Sequence, residues 1–539
     1  MDAMSLLRVE QMSLSIGPAP VLRGVSFDIR AGECFGLIGE SGSGKSMSAM
    51  ALLGLAPARA TGRALFEGAD LLAASERRLQ AVRGARIGMV FQEPMTALNP
   101  LQTIGAQVAE TVRIHGAANA RRAREIARET LERVGLPERQ FPLSRYPHEL
   151  SGGQRQRVGI AMAVALRPAL LIADEPTTAL DVTTQARILK LLMRLVAQDG
   201  MALLLITHDL GVVAAHADRI AVMRDGEVVE RGAAAEALSR PAHAHTRALV
   251  AASRPAPKHR RAPVEGPPLL EVREALRIHR GPRPSPFGAR PETRALDGVS
   301  LTVGRGERVA LVGESGCGKS TLARAILGLE PIQGGEIRIG GAPMPRDGRA
   351  PPALRRRVQA VFQDPYGSFD PRWRVGDLVA EPFHLMRPRP TRAAQAARVA
   401  EVLRAVGLPE DSAQRHIHAF SGGQRQRIAI ARALAIAPDL VILDEATSAL
   451  DLSIRAQILS LVAELSERLG AAFLIIAHDL AAVRAVADRV LVMRAGRIVE
   501  DGPTEALFAA PRDAYTRALL AAAPDLATAL ARRNRSPAA

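Results

Sequence analysis

Two stretches of this sequence have the residue types and spacing to hold a polyphosphate. Gly39-Glu40-Ser41-Gly42-Ser43-Gly44-Lys45-Ser46 and Gly313-Glu314-Ser315-Gly316-Cys317-Gly318-Lys319-Ser320 both read G-x-x-x-x-G-K-S. In that pattern glycines let the backbone wrap the phosphates, the lysine reaches the terminal ones and the serine hydroxyl ligates magnesium. Met47 and Thr321 follow directly and complete each nucleotide-binding stretch. Further along, Ser151-Gly152-Gly153-Gln154 stands in front of a helical pattern, which leaves backbone N–H groups uncovered at a helix N-terminus, where a phosphate is readily held. The apolar run Ala169–Ala173 then exits into Asp174-Glu175, a place for a magnesium ion and a water. The same order returns with Ser421-Gly422-Gly423-Gln424 and Asp444-Glu445. The chemistry these residues can do is phosphoryl transfer to water. Lys45 or Lys319 neutralises charge, Ser46 with Asp174 or Ser320 with Asp444 surrounds the metal, and Glu175 or Glu445 polarises the attacking water.

The elements that must position these groups are also legible. Val21–Ile29 and Glu33–Gly39 are rich in Val, Ile, Leu and Phe and broken at Arg30-Ala31-Gly32, so they predict two strands that deliver the chain to the first glycine-rich loop. A helix is predicted over Met47–Leu55, strands over Arg86–Phe91 and Ala202–Ile206, and an amphipathic helix over Ala117–Gly135. The strand Arg86–Phe91 ends at Gln92, and Ala202–Ile206 ends at Thr207-His208-Asp209. The two lysines of the loops stand 274 residues apart, Gln92 and Gln363 271, and the serines, glutamates and histidines 270. This is duplication at domain scale. It predicts an α/β chain with one domain over 1–252, a Pro- and Arg-rich linker over 253–268, a second domain over 269–528 and a patternless, disordered tail over 529–539. The basic run Lys258-His259-Arg260-Arg261 in the linker reads as solvated.

Composition narrows the class. The chain has 539 residues, 47% of them hydrophobic, without the ~18 consecutive apolar residues that a membrane span requires. Met1–Met12 carries acids and lacks a basic start followed by an apolar core, so no secretory signal is expected, and two cysteines in a nucleotide-hydrolysing chain suit the cytosol. The net charge of +16 could point to nucleic acid, but only four of the 71 basic residues are lysine. That bias fits a GC-rich coding sequence, and no nucleic-acid partner is expected. Two of those four lysines occupy the glycine-rich loops, where a compact ammonium must reach between phosphates. Cys317, close to a helix N-terminus, is expected to have a lowered thiol pKa and raised reactivity.

Taken in order, these motifs resemble the phosphate loop, signature and Walker B strand of ATP-binding cassette (ABC) ATPases, twice over nearly the whole chain. The resemblance implies two tandem P-loop NTPase domains, each with a RecA-like core and a helical signature subdomain, and ATP and Mg2+ as cofactors. It implies that Gln92 and Gln363 are hinge glutamines touching magnesium and water, and that His208 and His478 touch the γ-phosphate. In such proteins the signature of one domain closes over the ATP held by the other. Ser421 to Gln424 would then complete the site built on Lys45, and Ser151 to Gln154 the site built on Lys319. Asp181 and Asp451 resemble the aspartates that link the two sites. All the key residues occur in both halves, so two competent sites are expected. The family usually stacks an aromatic residue on adenine upstream of the loop. Here that region has Ile16 in the first half and His279 or Phe287 in the second.

Phe91–Pro100 and Phe362–Pro371 look like the hinge segments of the two ATPase subunits of dipeptide, oligopeptide and nickel importers. Pro241–Leu249 and Pro511–Leu519 are similar to the His-Pro-Tyr-Thr-Arg-Ala-Leu extension of that group, with the proline missing in both, the tyrosine in the first and the histidine in the second. Some members carry an iron–sulfur centre beyond the extension, and the two cysteines of this chain lie elsewhere, so none is expected. The resemblance implies a fused pair of peptide-type importer ATPases at the cytoplasmic face of the bacterial inner membrane, with two transmembrane permease subunits and an extracytoplasmic solute-binding protein as partners. The solute, whether dipeptide, oligopeptide, glutathione or nickel, is not written in this chain. The competing reading is a soluble twin-cassette ATPase acting on ribosomes or DNA. A short proline-rich linker and two isolated cysteines, too few for a four-ligand zinc site, weigh against it.

Overall fold

Strands that are apolar at every position belong in sheets covered on both faces. β3 (Cys34–Gly39) and β8 (Ala202–Ile206) are such strands, as is β7 (Leu170–Asp174) up to the carboxylate that ends it, and all three are buried throughout. The computed structural model describes residues 5–92, 97–178, 180–253, 266–281, 290–362, 367–447 and 450–535. It divides into two units, one made of Met1–Leu180, Thr184–Arg254 and Pro524–Ala539, the other of Asp181–Thr183 and Pro255–Ala523.

In unit 1 those three strands join β6 (Ile87–Val90), β9 (Arg219–Arg224) and β10 (Glu227–Ala233) in a six-stranded sheet of order β10-β9-β3-β8-β7-β6. All neighbours are parallel except β10 on β9. An antiparallel sheet of order β2-β1-β4-β5 comprises β1 (Ser5–Ile16), β2 (Ala19–Arg30), β4 (Thr61–Phe66) and β5 (Ala69–Asp70). Leu7, Phe27 and Ile29 from this sheet, Phe35, Ile172 and Leu204 from the other, and Ala49 and Leu52 from the helix Lys45–Leu52 share one apolar core. The helices Ile104–Ile114, Ala120–Arg133 and Gly152–Val164 pack on one another as a separate helical part. Each starts on a side-chain cap, from Thr103, Asn119 and Ser151. The middle one buries Ala123, Ala127, Thr130 and Leu131, one face at helical spacing, while Arg122 on its outer side pairs with Glu125 and Glu129.

Unit 2 repeats the plan. β11 (Leu270–Arg280), β12 (Glu292–Val303), β14 (Gly334–Ile339) and β15 (Ala342–Pro343) form the antiparallel sheet β12-β11-β14-β15. β13 (Arg308–Val312), β16 (Val358–Val361), β17 (Leu440–Asp444), β18 (Ala472–Ile476), β19 (Arg489–Arg494) and β20 (Arg497–Pro503) form the sheet β16-β17-β18-β13-β19-β20. The helices Val375–Ala380, Arg392–Ala405 and Gly422–Leu434 make its helical part.

Two expectations need correction or limits. Most of the 253–268 linker lies outside the described residues. The tail expected to be disordered over 529–539 is helical through Arg535, in the helix Leu526–Arg535, and belongs to unit 1. Its Leu526 and Leu530 are buried, and it packs on the helix Leu210–His216, where Pro524 lies against Gly211. One cause is visible in the pairing of charges. In unit 2 the buried Arg308 at the start of β13 donates to Asp488 from its backbone N–H at 2.9 Å and from its guanidinium at 2.8 Å. The corresponding residue of unit 1 is Cys34, whose backbone N–H donates to Asp218 at 3.0 Å but whose side chain has no charge to offer. Arg533 of the tail helix stands in, 3.5 Å from Asp218 and donating to the Ala217 carbonyl. Since that pair is partly exposed, the two leucines hold the helix more than the charge does. Leu530→Ala should weaken the docking by about 2 kcal/mol. Amide hydrogen exchange should then rise in both Leu210–His216 and Leu526–Arg535, and unchanged exchange in both would show that the helix is not docked.

Candidate active site

The loop after β3 is built around Gly39, whose φ of 156° and contact with Met223 leave no room for a side chain, since an added Cβ would fall on the Met223 carbonyl. Gly313 stands the same way against Met493. The helix Lys45–Leu52 begins on Gly44 with no side-chain cap, so its first-turn N–H groups face the loop. Lys45, 5% exposed, folds its ammonium onto the loop, donating to the carbonyls of Gly39 at 2.9 Å and Glu40 at 2.7 Å.

Across the sheet edge, the Ser46 hydroxyl donates to Asp174 Oδ1 at 2.9 Å. Burial pushes the Asp174 carboxyl above its ordinary value, and the neighbouring Glu175 charge adds to this, while Ser46 and Lys45 oppose it. A hydroxyl and a carboxylate side by side are hard oxygen donors of the kind magnesium takes, so the pair fits the ion. Glu175 follows with φ 44°, in the left-handed region, and its N–H donates to the Ile206 carbonyl at 2.9 Å. Its Oε2 accepts from Gln92 Nε2 and from the Thr178 hydroxyl, both at 2.9 Å, and its Oε1 lies 3.2 Å from His208 Nδ1. Burial alone would raise this carboxyl, but His208, by hydrogen bond and charge, with Thr178 and Lys45, outweighs it and brings it to about 2. Thus Lys45, Ser46, Gln92, Asp174, Glu175 and His208 converge in unit 1 around an ionised carboxylate. Thr178 escaped the sequence reading, because a threonine four residues past a strand carries no signal until the turn places it.

Unit 2 assembles the same groups with different supports. Lys319 donates to Gly313 O at 2.8 Å and Glu314 O at 2.9 Å, and Ser320 to Asp444 Oδ1 at 3.2 Å. Asp444 is raised by burial, and Glu445 has φ 51° with its N–H on the Ile476 carbonyl at 3.0 Å. Burial holds His478 below the usual imidazole range. Next to it Asp479 pairs with Arg455 at 2.5 Å, where unit 1 has Asp209 and Gln185 at the matching positions. Burial would raise Asp479, and Arg455 holds it low. Gln363 lies outside the described residues.

Each signature serine caps its helix reciprocally. Ser151 accepts from Gln154 N–H at 3.4 Å and donates its own N–H to Gln154 Oε1 at 2.8 Å, and Ser421 with Gln424 does the same at 3.4 and 3.0 Å. Ser151, Gly152, Ser421 and Gly422 are exposed. Asp181 sits in unit 2 with its Oδ1 2.8 Å from the Thr183 hydroxyl, which is also 2.6 Å from Glu314 Oε1, and Asp451 precedes the helix Leu452–Leu469. Of the candidates to face adenine, Ile16 is half exposed at the end of β1, His279 lies 3.3 Å from Glu330, and Phe287 is outside the described residues.

The expectation for Cys317 is corrected. Its thiol is buried, 6% exposed, and burial raises its pKa despite Lys319 Nζ at 3.9 Å. The loop turns the side chain inward, as it turns the matching Ser43, which is 4% exposed.

The family model for the ABC transporter matches residues 22–178 and 296–448, and that for the oligopeptide/dipeptide transporter C-terminal region matches 499–538. The glutathione import ATP-binding protein GsiA of Escherichia coli is 45% identical over 568 residues, 97% of this chain and 90% of its own. The peptidoglycan transport ATP-binding protein YejF of Agrobacterium fabrum is 47% identical over 511 residues, 93% and 92%. Among solved structures, a dimeric post-hydrolysis ATP-binding cassette bound to ADP and Pi is 32% identical with a TM-score of 0.39, covering 42% of this chain and 98% of that one.

The inward thiol gives a direct test. A raised pKa means that Cys317 is protonated at pH 7–8 and gains thiolate only above its ordinary value of 9.0, so maleimide should label it at least about tenfold more slowly than an exposed thiol at pH 7.5. Labelling as fast as a free thiol would show that the loop does not bury it.

Proposed function

The chain belongs to the ABC transporter family as an ATP-binding, ATP-hydrolysing component, and from that premise we propose that its two sites energise import of peptides or related small solutes of the dipeptide, oligopeptide, glutathione or nickel type. The observation that carries the proposal is the ionised Glu175 held by Gln92, Thr178 and His208 beside Lys45, Ser46 and Asp174. The repeat of this set on Lys319, Ser320, Asp444 and Glu445 supports two hydrolytic sites.

In the proposed cycle Lys45 and Lys319 turn from the loop carbonyls to the terminal phosphates, exchanging two neutral acceptors for charged ones. Ser46, Asp174 and Gln92, with Ser320, Asp444 and Gln363 in the second site, would hold Mg2+, which when bound supplies charge neutralisation across the phosphates. Glu175 and Glu445 accept a hydrogen bond from the attacking water and orient it. An approaching phosphate raises a neighbouring carboxyl by like charge, which moves Glu175 from a value near 2 toward one better suited to take a proton. His208 and His478 are proposed to contact the γ-phosphate. The exposed signature helix starts at Ser421 and Ser151 are proposed to close over the ATP bound on Lys45 and Lys319 respectively, with Asp181 and Asp451 linking the sites.

Membrane permeases are the partners of such a subunit, and among the described residues no helix is long and apolar enough to cross a membrane. In unit 2 a cleft of about 310 Å³ beside the end of β16 has Leu329, Phe362, Pro382 and Leu385 in its lining together with the charged or polar Arg355, Glu381, His384 and Arg432. Leu329 is exposed, as are Leu55 and Phe91 at the matching positions of unit 1. We assign these apolar positions to permease docking at the cytoplasmic face of the inner membrane. A solute-binding protein on the other side completes the proposed system, since recognition of the solute would be external to this chain.

Glu175→Gln with Glu445→Gln should keep ATP binding and reduce steady-state hydrolysis by about fiftyfold or more. Turnover above a few per cent would remove the glutamates from this role. The pairing of signatures is tested by Lys45→Ala combined with Ser421→Arg, which should be no worse than the poorer single variant, since both strike one site. Lys45→Ala with Ser151→Arg should strike both sites and abolish the remaining activity. The reverse pattern would mean that each half works on its own signature.

A further inference from the structure

We propose that Tyr515 is a positioning residue of the second nucleotide site, and that the segment following the unit 2 core exists in part to brace that unit's phosphate loop. The inference rests on the reading of this loop as an ATP site. Tyr515 stands near the start of the helix Ala514–Ala522. Its placement is fixed by a relay of backbone bonds: Glu500 on β20 accepts the N–H groups of Arg512 at 2.8 Å and Asp513 at 3.1 Å, and Asp513 in turn accepts the N–H of Tyr515 at 2.8 Å. The ring is buried, 7% exposed, with the Arg494 guanidinium 5.0 Å from its centre. At its far end the phenol oxygen accepts the N–H of Glu314 at 2.9 Å.

That N–H belongs to the peptide between Gly313 and Glu314, the first of the loop. The carbonyl of the same peptide accepts Lys319 Nζ at 2.8 Å. One peptide plane is therefore gripped at its oxygen by the catalytic ammonium and at its nitrogen by Tyr515. When Lys319 leaves for a phosphate, the oxygen grip is released and the Tyr515 bond remains, so the peptide keeps the orientation in which the loop receives the nucleotide. Gly313, free of a Cβ and at φ 153°, cannot fix the plane by sterics of its own. A buried N–H stripped of its acceptor is costly, which gives the tyrosine oxygen leverage on the loop.

Unit 1 has the same peptide, Gly39–Glu40, held by Lys45 at 2.9 Å, but at the position of Tyr515 it carries His245. That imidazole is buried, 8% exposed, and its Nε2 has no hydrogen-bond partner among the described residues. The two loops thus share their catalytic residues and differ in the side chain behind them.

The test uses the full-length chain and Tyr515→Phe, which keeps the ring and deletes the acceptor. Cys317, three residues after Glu314 in the same loop and buried, reports loop opening through its alkylation rate, and Cys34 serves as the internal control. Without nucleotide, Cys317 should be alkylated at least about fivefold faster in the variant while Cys34 is unchanged. The MgATP concentration that half-protects Cys317 should rise by a similar factor. Tyr515→His, which installs the unit 1 residue, should fall on the side of the phenylalanine variant. Equal alkylation rates and equal half-protection in the unaltered chain and Tyr515→Phe would overturn the brace. Loss of protection by MgATP in the unaltered chain would overturn the ATP-site reading itself, a separate result.

Discussion

The structure depends on the parallel register of three strands. Leu37 of β3 and Asp174 of β7 both pair with Ile206 of β8, so β7 and β8 end level with one another and β3 runs only two residues further, to Gly39. Their next residues, the glycine-rich loop, the acids and Thr207-His208, must then emerge side by side at one edge, which is where open α/β sheets place ligands. A slip of one residue would turn Asp174 to the opposite face and part it from Ser46. The ladder even runs past the strand, because Glu175 N–H continues onto the Ile206 carbonyl, as Glu445 N–H does onto Ile476. Following the ladder with a turn forces both glutamates into the left-handed region, at a cost of order 1–3 kcal/mol each. In unit 1, bonds from Gln92, Thr178 and His208 to the carboxylate offset that strain, and those from His208 and Thr178 also hold it ionised.

Duplication has kept this edge and let its surroundings drift. Lysine, serine, aspartate, glutamate and histidine recur in both units, and what lies behind them does not. Arg308 is buried beside Asp488, whereas Cys34 leaves Asp218 to a residue of the terminal helix. Arg455 pins Asp479 next to His478, whereas Gln185 bonds Thr177. The second difference changes the charge next to the histidine of each unit, whereas the first lies at the opposite end of the strands and changes only what covers Asp218.

The sequence reading succeeded where chemistry is local. The loops follow from G-x-x-x-x-G-K-S alone, and Ala202–Ile206 appears as a strand because a run buried on both faces needs no partner to be recognised. The helix expected over Ala117–Gly135 is found over Ala120–Arg133, bounded by the Asn119 cap. What could not be read depends on which side a backbone turns or what waits across a gap. Cys317 near a helix start suggests a reactive thiolate, and only the inward turn of the loop shows that burial wins. The last helix, with Leu526 and Leu530 among alanines and arginines, has too little apolar periodicity to announce itself, and its partner lies more than 300 residues earlier in the chain. Tyr515 reads as part of an extension motif, with nothing in the local pattern to say that its hydroxyl meets Glu314.

The survival of lysine in an arginine-dominated chain follows from the same geometry. Lys45 and Lys319 are each 5% exposed and each donate to two carbonyls between 2.7 and 2.9 Å away. An ammonium has three donors around one atom, so it can leave two carbonyls for phosphate oxygens by rotating about its flexible stem. A guanidinium presents its donors in a fixed, wider plane and cannot redirect them about a single atom in this way. Elsewhere arginine dominates, both as exposed charge and in buried pairs such as Arg308 with Asp488, as a biased composition would leave it. At these two positions the side chain must be held before the nucleotide arrives and released when it does, which is a requirement on shape more than on charge.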